Sequence, residues 1–148
     1  MREIKFRGKR VDNGEWVYGD IIHSAWKTFI KDCNDKYTNP RRLAENTADF
    51  RCIEVAPSTV GQYTGLKDSK RTEEYPEGQE IYEGDIIKAV ALANDHNQRG
   101  AITISAVEYW MGNACLSITH VPLYPFIVNH SFEVIGNVWE DGDLLNDC

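Results

Sequence analysis

At 148 residues, 42% of them hydrophobic and 26% charged, the chain has the composition of a globular protein, long enough for one ordinary domain or two small barrels. No apolar run approaches the roughly 18 residues that a helical membrane span needs, so a non-membrane protein of the cytoplasm is expected. The net charge of −7 is uneven: residues 1–71 carry 14 Lys or Arg against 10 Asp or Glu, and residues 72–148 carry 2 against 13. So acidic a half opposes a phosphate backbone and argues against unaided binding to duplex DNA; the two signs are instead set to attract within or between chains, which leaves a homo-oligomer open.

In chain order, Ile4 and Phe6 alternate with Lys5 and Arg7, the period of a half-exposed strand. Asp12-Asn13-Gly14 supplies turn chemistry and Trp16-Val17-Tyr18 returns, which predicts a hairpin. Further strands are expected over Trp26 to Lys31 and Phe50 to Val55, and Asn39-Pro40 offers the start of one short helix running to Ala44. Thr59 to Asp68, with Gly61 and Gly65, reads as a tight irregular connection whose glycines take positive φ. Ser69 to Gln79 has turn formers and charge without an apolar period, and is expected to be an exposed loop.

Glu80-Ile81-Tyr82-Glu83-Gly84-Asp85-Ile86-Ile87 then reads as a turn launching a strand, with Gly84 in the awkward conformation and the Asp85 carboxylate bonding local N–H groups. Tyr18-Gly19-Asp20-Ile21-Ile22 echoes that phrase and is taken as reuse of one turn solution. Strands follow at Ile86 to Leu92, Ala101 to Tyr109, Cys115 to Val121 and Phe132 to Val138; a polar loop spans Ala93 to Gly100 and Trp110-Met111-Gly112-Asn113 is a turn. The fold expected is all-β or mostly β with at most one or two short helices: an N-terminal β unit over 1–75 and a small closed barrel over 76–148, packed on one another.

Ile4 to Arg10, Gly14 to Asp20, Thr59 to Asp68, Glu80 to Asp85 and Phe132 to Glu140 together resemble the YopX family of phage and prophage proteins, in the same order and over most of the chain. The resemblance implies an SH3-like barrel in the C-terminal part and a phage or prophage origin in a bacterial host. It implies no activity, since that family carries no established catalytic residues. Against its usual pattern, Asp35 to Asp49 and the step between the two turns look inserted.

Chemistry has few candidates. Cys115 and His120 are an odd number of residues apart, which on a regular strand sends them to opposite faces. His23, His96 and His130 are dispersed, and the four cysteines form no Cys-x-x-Cys pair, so neither a metal, a disulfide framework nor another cofactor is expected. Gly61 to Lys67 lacks the adjacent Gly-Lys-Ser/Thr of a phosphate loop. Glu80, Glu83 and Asp85 cluster at one turn without a catalytic partner nearby in sequence. The candidate binding surface is therefore Gln62, Tyr63, Thr64, Asp68, Tyr82, Glu83 and Asp85, around the two turns. The function expected is non-enzymatic binding to a phage or host protein. The alternatives are an enzyme with a nonstandard carboxylate site, or an acidic nucleic-acid mimic acting on the host.

Overall fold

The computed structural model describes residues 3–24, 26–32, 52–92, 100–124 and 130–145. They are mostly β-strand, paired antiparallel, with 3-10 turns at Pro57–Thr59 and Gly142–Leu145. The helix expected from Asn39 and, apart from Gly100, the polar loop expected over Ala93 to Gly100 fall outside the described residues. The chain divides into two compact units, Met1–Tyr63 and Thr64–Cys148; position 75, where the sequence placed the division, lies inside the second.

In the first unit β1 (Phe6–Lys9), β2 (Trp16–Ser24), β3 (Lys27–Asp32), β4 (Cys52–Val55) and the start of β5 (Gly61–Lys67) lie in the order β4-β3-β2-β1-β5. The β1–β2 hairpin turns as Asn13 and Gly14 require. Gly14 takes φ +74°, its N–H donates to the Arg10 carbonyl, and the Asn13 side chain accepts from the Glu15 N–H. The register pairs Arg7 with Tyr18 and Gly8 with Val17, so alternation sends Val17, Ile30 and Val55 into the core beside Phe6. The sheet then curls until β4 meets the end of β1: Val11 N–H donates to Glu54 O at 3.1 Å and Ala56 N–H to Lys9 O at 2.8 Å. Gly8 permits that closure, because a Cβ there would lie 3.0 Å from the Val55 Cβ and 3.2 Å from the Ile30 Cδ1.

Two sequence expectations fail here for physical reasons. Gly61 to Lys67 is a strand, because backbone partners are available: Gly61 and Gln62 pair with Arg7 and Phe6, and Tyr63 N–H donates to Lys5 O. Of its glycines only Gly65 has a positive φ, +85°; Gly61 sits in ordinary strand conformation. The supposed echo of the turn also dissolves. Tyr18 to Ile22 lies in mid-β2 with Gly19 at φ 158°, extended backbone paired with Phe6 on one side and Asp32 on the other.

In the second unit β6 (Glu80–Tyr82) runs beside the end of β5, and β7 (Asp85–Ala91), β8 (Ile102–Trp110), β9 (Asn113–Leu116) and β10 (His130–Asn137) form a sheet in the order β10-β7-β8-β9. Ile81, Ile87, Ala89, Val107, Leu116, Leu123 and Phe132 make its core. β9 stops at Leu116, four residues before His120, so the expected strand through Val121 is cut short by a turn that closes with His120 N–H on Leu116 O. A bulge between Val134 and Gly136 shifts the register of β10. The outer edge of β10 is met by Asp68 and Ser69: Ser69 N–H donates to Phe132 O, and the Phe132 and Val134 N–H groups donate to the Ser69 Oγ and Asp68 Oδ2.

Candidate functional site

The seven candidate residues are shared between the units, Gln62 and Tyr63 in the first and the other five in the second. Five of them are buried: Tyr63, Thr64, Asp68, Tyr82 and Asp85. Gln62 is half-buried opposite Phe6, and Tyr63 lies under the Lys5 ammonium, 5.3 Å from its ring centroid. The Thr64 hydroxyl donates to Ile81 O at 2.7 Å and accepts from the Leu66 N–H.

Asp68 is 3% exposed and both its oxygens accept from backbone, Oδ1 from Gln79 N–H at 2.8 Å and Oδ2 from Val134 N–H at 3.1 Å. Its carboxylate therefore ties the residue before β6 and the middle of β10 to the end of β5, the work of missing ladder bonds. Asp85 is 1% exposed and accepts from the Tyr82 N–H at 2.8 Å, closing the turn through Glu83 and Gly84 as the sequence implied. Gly84 has φ +90°, and a Cβ there would overlap the Trp139 ring, so the ring packs directly on the turn backbone. Glu83 is the half-buried member of this turn.

Beside Asp68 the Ser69 to Gln79 segment bounds a cleft of about 360 Å³, whose walls include Glu73, Glu74, Tyr75 and Glu133. The Lys70 ammonium reaches Glu133 at 2.6 Å, and this pair holds the lysine pKa above its ordinary value. Neither Asp85, Glu83 nor any histidine lines the cleft. Among the described residues no three His, Cys, Asp or Glu side chains are grouped to hold a metal, and Cys52 and Cys115 are free thiols.

The turn expected at Trp110-Met111-Gly112-Asn113 is the tip of the β8–β9 hairpin, but sequence reasoning did not count its side chains among the candidates. Trp110 is 46% and Met111 80% exposed, and Met111 takes φ +49° in the turn with Gly112 at +81°. The His120 ring stacks on Trp110 with centroids 4.6 Å apart, and its Nδ1 lies 3.0 Å from Glu108 Oε1. The signal available was a large apolar residue, Met111, at a central turn position that usually carries Asn, Asp or Gly, directly after a tryptophan.

Fold and site together define a mostly β protein with two antiparallel units, whose most distinctive carboxylates bond its own backbone. Its sequence matches the profile of the YopX protein family over residues 5–146, nearly the whole chain, and the chain belongs to that family. No curated protein and no solved structure matches it. No described helix is long and apolar enough to cross a membrane.

Proposed function

We propose that this chain is a phage- or prophage-encoded binding or accessory protein of the bacterial cytoplasm, without catalytic activity, whose partner is a phage or host protein. The observation that carries the reading is the contrast between its polar and apolar groups. Of Glu80, Glu83 and Asp85, the turn carboxylates a nonstandard enzyme site would use, Asp85 is buried and bonded to a backbone N–H, as is Asp68 beside the cleft, whereas Trp26, Trp110 and Met111 face solvent. General acid or base work needs a carboxylate within reach of substrate, and large exposed aromatic and Met side chains are the groups protein interfaces favour. An SH3-like barrel, as the family resemblance implies, fits the same role. The test is affinity capture of the tagged full-length chain from infected or induced cells, with the Glu83→Gln variant alongside. A stoichiometric protein partner retained by both supports the proposal; a turnover activity that Glu83→Gln abolishes with the fold intact would replace it with the enzyme reading.

A further inference from the structure

We infer that the β8–β9 hairpin tip is the contact surface, and that it inserts Trp110 and Met111 into an apolar pocket on a partner protein whose surface carries an excess of Lys and Arg. The inference rests on the protein-binding reading above. Among the described residues only two non-glycine residues have positive φ, Met111 at +49° and His120 at +53°, and both flank one side chain, Trp110. Left-handed backbone is disfavoured for L-residues, and Asn or Gly would fill either position with less strain. The His120 ring covers one face of the Trp110 indole, with its Nδ1 3.0 Å from Glu108 Oε1, while 46% of Trp110 stays exposed. A rigid aromatic beside a flexible Met is the make-up of an interface anchor, since little side-chain freedom remains to be lost on docking.

The partner's chemistry follows from the charges. Residues 101–124 contain Glu108 as their one Asp, Glu, Lys or Arg, so the tip is an almost uncharged island. The unit around it, residues 64–148, carries 14 Asp or Glu against 5 Lys or Arg. An apolar tip on a unit of net negative charge complements an apolar pocket on a partner whose surface carries an excess of Lys and Arg.

The test places a photo-cross-linking side chain at Asn113, beside the tip, in the full-length chain inside infected or induced cells, and measures the affinity of the purified cross-linked partner. Met111→Gly is the decisive variant, because glycine suits φ +49° and the fold is kept or strengthened while the side chain is lost. The expected result is one cross-linked protein with a basic contact surface, bound about tenfold or more weakly by Met111→Gly and by Trp110→Ala, and more weakly as salt rises. A partner held equally by wild type and both variants, or a cross-link to a second copy of this chain, overturns the inference and leaves protein binding standing. Absence of any partner overturns both.

Discussion

Asp68→Ala tests the claim that the carboxylate beside the cleft is a structural clamp. The substitution leaves the Gln79 and Val134 N–H groups without acceptors in a place where the aspartate is 3% exposed. A hydrogen bond to a charged group contributes about 1.5–3 kcal/mol. Two would sum to about 3–6 kcal/mol, and partial rehydration of the freed N–H groups through the neighbouring cleft brings the expected loss to about 3 kcal/mol. Asp68→Asn keeps one carbonyl oxygen and turns an amide toward the other N–H, so it should fall between wild type and alanine. Urea unfolding followed by tryptophan fluorescence reads this as a lower midpoint at unchanged slope. A loss below about 1 kcal/mol for Asp68→Ala would refute the clamp and return Asp68 to the list of ligand-binding groups.

Gly84→Ala should cost more than about 2 kcal/mol, combining strain at φ +90° with overlap against Trp139, and a changed near-ultraviolet circular dichroism spectrum should report the displaced ring. Gly65→Ala, at φ +85° in an exposed part of β5, should cost about 1 kcal/mol by the same denaturation assay, the strain of a left-handed L-residue alone. Limited proteolysis should cut first within the exposed run 69–77 and leave both fragments associated; a first cut inside Ile81 to Ile87 would contradict the fold described. Fluorescence anisotropy with duplex oligonucleotides should show no binding at physiological salt, given 23 acidic against 16 basic residues, and micromolar binding there would put nucleic acid ahead of protein as partner.

Much of the fold was legible because burial on one sheet face leaves a period of two. Val17 and Gly19, Ile53 and Val55, and Phe132 and Val134 show it, and Asp12-Asn13-Gly14 marks its own turn; β1 departs from it, since Arg7 is buried between Phe6 and Gly8 while Ile4, expected on the inner face, is 62% exposed. β5 was not legible, since glycines at 61 and 65 signal a turn locally and only pairing with β1, more than 50 residues earlier, makes them strand. The site was obscured by the same distance. Thr64, Asp68 and Asp85 look like surface groups in sequence, but Asp68 receives its hydrogen bonds from residues 11 and 66 positions away. Met111 bears no mark of left-handed backbone, because its residue type usually avoids it, and His120 stands in a segment read as strand.

The most direct measurement of the central claim, that the motif carboxylates serve the fold while the contact surface lies at the hairpin tip, is amide hydrogen exchange on the free chain and on its complex with the captured partner. The account predicts that added protection concentrates over Tyr109 to Cys115 and the turn ending at His120, with Gly61 to Asp68 and Tyr82 to Asp85 unchanged. Added protection over those two motif segments, with the tip exchanging as in the free chain, would contradict it.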